Sequence, residues 1–492
     1  MSTIAARLER LPFSRFHFKL LVIGGLGYTF EALDAAIIAF LMPVLRTGWH
    51  LTSVQTGVVG SSTYVGFLIG ALIAGMLGDR FGRRSVMMGA LILFCAASLA
   101  SAFVHDWQTF LLLRVVGGIG MGAEGAIVAP FLVEFVATKY RGAFTGALAG
   151  FFSFGFVAAA LLGYFLIPSY ANGWRITVIV VACPVLILLW WRRSLMESPR
   201  WLESRGRIEE ANAVVACVEA AVAKSGHALA PVSQAVSAVP LAAGRNHSML
   251  GGLRALWSPR LRRVTIMSWC LWLSVTFSSY AFFTWIPGLL VQRGMTITQS
   301  FSYSILIYLA QIPGYFCAAY VCEIWDRRPS IVTYMILAAL SAVGLAFATT
   351  NMEMLIGSIA LSFFMNGVNA IEYAYTPEVF PTDVRATGMG TASAIGRLGA
   401  IASPVLVGYI FPIGGFAGVF GMTTAVLAFG ALSVVFLGVR TKGRSLEAIA
   451  AEELAGARLP AVTEERSAGP SFGPRGGLGN ETVVAFDSTE VK

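Results

Sequence analysis

The chain has 492 residues, of which 57% are hydrophobic and 12% are charged, and its mean hydropathy is +0.73. In soluble domains about a quarter of the residues are charged, so this composition excludes an ordinary soluble protein and indicates an integral membrane protein. The net charge of +9 does not indicate nucleic-acid binding, because the basic residues cluster in alternate loops. The six cysteines have no motif spacing and favour neither a disulfide framework nor a metal site.

Apolar segments long enough to cross a bilayer recur along most of the chain. We predict an all-α membrane protein with twelve transmembrane helices. They span residues 20–45, 55–77, 85–104, 108–136, 143–167, 174–191, 264–291, 299–322, 330–349, 352–376, 386–411 and 417–438.

The distribution of Lys and Arg predicts the orientation of these helices. Only Arg46, Arg175 and Arg293 lie in the loops on one side, whereas nearly all other basic residues lie in the opposite loops or the termini. Because basic loops stay in the cytoplasm, both termini are predicted to be cytoplasmic.

The predicted organisation is two six-helix bundles, residues 1–191 and 264–440, joined by a cytoplasmic linker of 192–263. For residues 441–492 we predict a mostly disordered cytoplasmic tail, because from Pro460 onward the chain carries Gly, Pro, Ser, Thr and Glu and few large apolar residues.

An internal repeat supports the division into two bundles. The charged run Gly78–Arg84 follows the second apolar segment, and a shortened copy, Glu323–Pro329, follows the eighth. Four charges in seven residues are too costly to place in hydrocarbon, so each run is predicted to be a tight loop at the membrane surface.

The first of these loops resembles the Gly-x-x-x-Asp/Arg-x-Gly-Arg-Arg signature of the major facilitator superfamily. The sequence therefore resembles that superfamily. Five further motifs resemble the sugar-porter branch of that superfamily. They are Arg114-x2-Gly117-x2-Gly120-x-Gly122, Glu134-x6-Arg141-Gly142, Glu197–Leu202, Pro377–Pro381 and Lys442–Glu447. The resemblance implies two pseudo-symmetric bundles around a central cavity, working by alternating access.

The substrate region departs from hexose carriers, because the Gln-Gln-x-x-Gly run expected on helix seven is absent. Four short runs instead resemble the bacterial niacin-transporter group, which is related to synaptic-vesicle-protein and organic-ion carriers. They are Phe30–Asp34, Phe283–Pro287, Tyr375–Glu378 and Gly396–Gly399.

Ionisable residues inside apolar segments are costly, so function is their default interpretation. Asp34 and Arg114 lie at similar depth in antiparallel helices, and in proton-coupled sugar porters matching positions hold an aspartate–arginine pair. The resemblance implies that Asp34 carries a proton and that Arg114 tunes it; a permanent structural ion pair is the alternative. Glu31 is on nearly the same helix face as Asp34 and shares the proton site or contacts substrate. Glu124 belongs either to this site or to a cytoplasmic network.

Arg397 in helix eleven needs an anionic partner, either a substrate carboxylate or an internal acid such as Glu372. Other predicted substrate contacts are aromatic rings that stack on a small aromatic acid and amides that bind a ring nitrogen. Packing or lipid contact is the alternative for each aromatic residue. These predicted contacts are Trp285, Tyr280, Phe283, Tyr373, Asn366, Asn369 and Gln311.

An acidic residue and an arginine seven positions apart occur at equivalent places in both halves. We interpret these residues, together with the charged residues of the two loops, as inter-helix ion pairs that close the cytoplasmic side. The alternative is that these charges only set the membrane topology. The predicted gate residues are Asp79, Arg83, Arg84, Glu134, Arg141, Asp326, Arg327, Glu378 and Arg385. Gly142, Gly146 and Gly150, spaced every fourth residue, predict a helix-packing stripe.

The sequence therefore predicts a proton-coupled importer of a small aromatic carboxylate, nicotinate first, in a bacterial inner membrane. It contains no enzymatic motif, needs no cofactor and is expected to be a monomer. The alternatives are a carrier for another aromatic acid, a sugar or an organic cation, or a non-transporting receptor or vesicle-type protein.

Overall fold

The computed structural model describes residues 3–193, 195–225, 229, 249–381 and 384–440, and those residues contain helices but no strand. The predicted tail of 441–492, with its Lys442–Glu447 motif, lies outside the described residues. The same holds for 226–228 and 230–248 of the predicted linker.

The N-terminal half begins with a short helix and continues with six long apolar ones. Their bounds are α1 Thr3–Glu9, α2 Arg15–Gly48, α3 Ser53–Phe81, α4 Arg83–Ser101, α5 Trp107–Val133, α6 Thr138–Leu166 and α7 Gly173–Arg192. Three helices of the predicted linker follow, α8 Pro199–Ser204, α9 Ile208–Lys224 and α10 Met249–Leu256.

The C-terminal half repeats the arrangement with six helical segments. They are α11 Arg262–Gln292, α12 Ile297–Leu309, α13 Gln311–Ile324, α14 Arg327–Ala346, α15 Asn351–Val379 and α16 Arg385–Leu437.

The number of membrane crossings follows from helix length. Helices α12 and α13 meet at Ala310, which is itself helical, and together form one crossing. The 53 residues of α16 would span ~80 Å, far more than the ~30 Å of hydrocarbon. Gly415, with φ of 57° and ψ of −152°, breaks α16 into two crossings. With α7, the described residues supply the twelve predicted helices.

Because the number of crossings is even, α2 begins and α16 ends on one side, which we call the terminal face; the other is the distal face. Four helices that start at the distal face are capped by a side chain. Thr52, Asp106, Thr296 and Thr350 each accept a hydrogen bond from the backbone N–H three residues later. These caps satisfy N–H groups that helix geometry leaves without partners, and they fix where the crossings begin.

Glycines allow α3 and α5 to pack backbone against backbone. A Cβ on Gly66 would lie 2.0 Å from the carbonyl oxygen of Val115, and a Cβ on Gly122 would lie 2.0 Å from that of Phe67. Small residues at such contacts are the usual basis of close helix packing in membranes. The predicted stripe on α6 behaves differently: a Cβ on Gly142, Gly146 or Gly150 would meet no atom within 4 Å. That prediction is wrong, because this face of α6 borders open space.

The close packing of α3 on α5 makes Gly70→Ala a destabilising change. Its Cβ would lie 2.0 Å from the carbonyl oxygen of Ile119, and only a backbone shift relieves that clash. Overpacking of this kind costs about 1–3 kcal/mol. Gly75→Ala on the same helix meets nothing within 4 Å and is expected to be neutral or slightly stabilising. Denaturant titration in detergent micelles measures both, and equal stabilities would contradict the packing argument.

Candidate functional site

A cavity of about 700 Å³ lies between the two halves. Its N-terminal wall comes from α2, α3, α5 and α6, and its C-terminal wall from α11, α12, α13, α15 and α16. The lining extends to Gly142 and Thr145, which lie in the first turns of α6 near the terminal face. The cavity is therefore accessible from the terminal face.

The distal face is closed by contacts between the halves. A Cβ on Gly57 would lie 2.3 Å from the carbonyl oxygen of Pro404, and a Cβ on Gly408 would lie 2.5 Å from that of Ser53. Close to the same face, the rings of Phe40 and Phe301 pack edge to face at 5.1 Å. These contacts join α3 to α16 and α2 to α12, so no wide opening exists on that side of the described residues.

Arg397 supplies a cation to the cavity wall. Its guanidinium carbon lies 3.9 Å from the centroid of the Phe67 ring, and its charge acts on the hydroxyl of Tyr280. Among the described residues, no carboxylate oxygen lies within 4.0 Å of the guanidinium. Glu372, the internal partner considered from sequence, also lines the cavity but does not pair with it. The Oε2 atom of Glu372 is buried without a hydrogen-bond partner in the described part of the chain.

Aromatic rings from both halves line the same cavity as this cation. Tyr64 of α3 contacts Tyr280 of α11 with ring centroids 4.4 Å apart, and Phe283 of α11 contacts Tyr308 of α12 at 5.2 Å. Such a wall suits a flat ring, because aromatic pairs gain energy beyond the burial of area. Both of the predicted residues Tyr280 and Phe283 line the cavity.

Amide side chains form a polar patch on the C-terminal wall. Asn366 donates from Nδ2 to Oε1 of Gln311 at 2.8 Å, and Asn369 donates to the Met365 carbonyl at 3.2 Å. These three predicted residues line the cavity, as does Tyr373, whose ring packs edge to face on Trp272 at 5.0 Å.

Trp285 is placed outside the cavity, contrary to the prediction. Its ring is 1% exposed, and its Nε1–H donates to the carbonyl of Pro404 at 3.1 Å. The side chain holds α11 against α16, which is a packing role.

Asp34 and Arg114 form a buried ion pair behind the N-terminal wall. Both residues are 2% exposed, and Nη2 of Arg114 lies 2.8 Å from Oδ2 of Asp34. Ser98 donates to Oδ1 of Asp34 at 2.5 Å, and Nε of Arg114 donates to Thr63, which does line the cavity. Neither charged residue lines the cavity in this state.

Two further acids occupy the same half. Glu31 lines the cavity, whereas Glu124 is 1% exposed and lies outside the lining. The two acidic residues of α2 therefore have different neighbours: Glu31 faces the cavity and Asp34 contacts Arg114.

Comparison with known proteins decides the family. Residues 22–452 match the family described as "Sugar (and other) transporter". The chain belongs to this transporter family. Its relatives include the niacin transporter NiaP of Acinetobacter baylyi, 37% identical over 91% of this chain and 99% of that protein. A gallate transporter of Pseudomonas putida is 30% identical over 83% of this chain and 88% of that protein.

A solved structure shows the same fold. The inward open conformation of the xylose transporter XylE from E. coli aligns with a TM-score of 0.68 at 19% identity, covering 89% of this chain and 99% of that chain. The predicted major facilitator fold, the sugar-porter-like family and the assignment as a transporter instead of an enzyme are confirmed. The protein is a multi-pass membrane transporter.

The predicted gate residues form ion pairs at the terminal face of this transporter. Arg83 at the start of α4 pairs with Glu134 after α5, and Arg327 at the start of α14 pairs with Glu378 in α15 at 3.2 Å. Each residue of the second pair lies 244 positions after its counterpart, as the internal repeat requires. Both pairs join helices within one half, so in this open state they brace each half separately.

The remaining predicted gate residues take part in hydrogen bonds that involve backbone atoms. Arg141 and Arg385 each donate from Nε to the carbonyl five residues earlier, at 3.0 and 3.5 Å. Arg84 donates from its guanidinium to a carbonyl at 2.8 Å and from its backbone N–H to the carboxylate of Glu197 at 3.1 Å. The carbonyls of Asp79 and Asp326 accept hydrogen bonds from Trp201 and Ser330.

Several cavity residues were missed by the sequence analysis. The aromatic ones among them lie in apolar helices, where packing is the default interpretation. They are Tyr28, Tyr64, Phe67, Phe152, Phe156, Trp272, Tyr308 and Tyr315. Tyr28 lies three residues before Glu31, so the helical spacing around that acid was the one signal that could have located part of this wall.

The closed distal face leads to a prediction about conformation. Gly57→Leu places a side chain against the Pro404 carbonyl, and overpacking of about 1–3 kcal/mol penalises the distal closure. Labelling of a cysteine introduced at Gly142, in a chain whose own cysteines are replaced by serine, should fall about tenfold from the terminal face. Gly48→Leu, which meets nothing within 4 Å, is the control. Equal labelling in the two variants, with equal melting temperatures, would contradict this account of closure.

Proposed function

We propose that this transporter imports nicotinate together with a proton. The observation that carries the proposal is Arg397, a cation on an aromatic-lined cavity with no carboxylate of the described residues within 4.0 Å. A guanidinium in such a site needs an anion, and its planar fork binds a carboxylate with two parallel hydrogen bonds. The relative named a niacin transporter supports the choice of nicotinate.

The rest of the cavity fits a pyridine carboxylate. If the nicotinate carboxylate binds Arg397, the pyridine ring would lie between two sets of aromatic side chains. One set is Tyr280 and Phe283 of the C-terminal half, and the other is the aromatic lining of the N-terminal half. The amides of Asn366, Asn369 and Gln311 supply donors for the ring nitrogen.

Proton coupling supplies the driving force in this proposal. Nicotinate carries one negative charge, so uptake with one proton is electroneutral. A single charge moved across 100 mV is worth about 2.3 kcal/mol, and electroneutral uptake does not use that energy. Accumulation should therefore follow the pH difference and not the membrane potential.

The proposed location is a bacterial inner membrane with both termini cytoplasmic, as the Lys and Arg distribution indicates. The terminal face is then the cytoplasmic face, and the structure is the inward-open state. The predicted boundaries of 1–191, 192–263, 264–440 and 441–492 remain the proposed organisation.

The test is uptake into proteoliposomes that contain the purified full chain. An inward proton gradient should drive accumulation of labelled nicotinate, and nicotinate should compete far better than its neutral amide, nicotinamide. Accumulation without a pH gradient, driven by potential alone, would refute electroneutral coupling to a single proton. Calorimetric binding of benzoate, gallate and glucose completes the comparison, since the relative named a gallate transporter makes another aromatic acid the second candidate. Glucose binding without nicotinate binding would refute the substrate assignment.

A further inference from the structure

We propose that Glu31 is the internal counter-ion that Arg397 exchanges for the substrate carboxylate, and that a proton on Glu31 makes this exchange possible. The inference rests on the proposed function and identifies the group that links proton to substrate.

The geometry places Glu31 and Arg397 near one ring, that of Phe67. Phe67 of α3 has the Arg397 guanidinium 3.9 Å from its centroid. The Cζ atom of Phe67 and both carboxylate oxygens of Glu31 lie 3.2–3.4 Å from the position that a Cβ of Gly125 would take. The two charged groups, one on each half, therefore adjoin the same aromatic side chain. Tyr280 lies between the halves and interacts electrostatically with both of them.

The other charged groups around Glu31 have different positions. Asp34 is held by Arg114 and Ser98 behind the wall, and Glu124 on α5 lies outside the lining. Glu372 on α15 shares the half of Arg397 and does not pair with it. Among the described acidic residues of the N-terminal half, Glu31 is the one that lines the cavity. It is thus the anion that approaches Arg397 when the two halves close.

Charge balance gives the pair its role. When the empty cavity closes, ionised Glu31 neutralises Arg397, and a buried guanidinium is not left without an anion. When nicotinate occupies Arg397, an ionised Glu31 becomes the surplus buried charge. One proton taken up by the Glu31 carboxylate removes that charge, and release of nicotinate and the proton on the other side restores the internal pair. Each cycle moves one anion and one proton.

Calorimetry on the full chain tests the proposal between about pH 6 and pH 8, where nicotinate itself stays anionic. Runs in two buffers of different ionisation enthalpy give the number of protons taken up per nicotinate bound. The wild-type protein should take up about one proton, and over the pH range where it does so its affinity should fall about tenfold per pH unit. Glu31→Gln should bind without proton uptake, with an affinity that does not change with pH, and should lose pH-driven accumulation in proteoliposomes.

Matched variants separate the possible failures. Glu31→Asp keeps a titratable carboxylate and should restore proton uptake, which distinguishes proton exchange from a folding defect of Glu31→Gln. Glu210→Gln, a change at an exposed ion pair outside the cavity, is the control and should retain proton uptake on binding. Loss of uptake in Asp34→Asn but not in Glu31→Gln would overturn the inference and leave the proposed function intact. Absence of nicotinate binding at every pH would instead refute the proposed function, and the inference with it.

Discussion

Arg397→Gln is expected to weaken nicotinate binding by about 30- to 1000-fold. The guanidinium faces an aromatic cavity of about 700 Å³ and has no carboxylate partner within 4.0 Å among the described residues. Removing one partner of a desolvated, hydrogen-bonded charge pair costs about 2–4 kcal/mol, and 1.4 kcal/mol corresponds to a factor of ten. The affinity for nicotinamide, which has no negative charge, should change much less.

Arg397→Lys refines this experiment. Lysine keeps the charge but loses the planar fork, so its affinity should lie between those of wild type and Arg397→Gln. Arg207→Gln, a change at an exposed ion pair with Glu210 outside the cavity, is the control and should bind normally. Titration calorimetry gives the affinities, and thermal unfolding verifies that each variant is folded. If a folded Arg397→Gln protein bound nicotinate with wild-type affinity, Arg397 would not be a substrate-binding residue.

Arg114→Ala is expected to lower the free energy of unfolding by about 3–5 kcal/mol. Arg114 and Asp34 are each 2% exposed, and four hydrogen bonds connect the guanidinium and carboxylate to each other, to Ser98, to Thr63 and to the Asp34 backbone. Loss of the arginine leaves a buried carboxylate without its cation, which is the costly case for a buried pair. Denaturant titration in micelles measures the change.

The double variant Asp34→Ala with Arg114→Ala isolates the pair. Its stability loss should be smaller than the sum of the two single losses, because neither charge is left alone. Arg207→Ala, which breaks a pair whose side chains are 48% and 57% exposed, should change the stability little. A small effect of Arg114→Ala together with lost proton-driven accumulation would show that the pair opens during transport. That result would favour Asp34 as the proton carrier over a permanent structural pair.

Much of the fold was predictable because the bilayer imposes a simple length rule. Apolar runs of about 20 residues located all twelve crossings, including the division of α16 near Gly415, where residues 386–411 and 417–438 were predicted as separate helices. The high cost of charge in hydrocarbon likewise drew attention to Asp34, Arg114, Glu31 and Arg397. The similar depth of Asp34 and Arg114 in antiparallel helices, together with the resemblance to proton-coupled sugar porters, predicted that they meet.

What the sequence by itself determined is therefore the number of helices, the repeat between the halves and the identity of the buried charges. Only the tertiary structure decided which helix face meets the cavity. Phe283 lines it while Trp285, two residues on, packs against Pro404, and Glu31 faces the cavity while Asp34 faces Arg114. Gly142 and Gly146 border the cavity instead of a neighbouring helix. Lipid, a packed helix and an aromatic cavity all accept apolar side chains, so hydrophobic periodicity cannot separate these faces within a membrane, and the packing of the two halves makes the distinction.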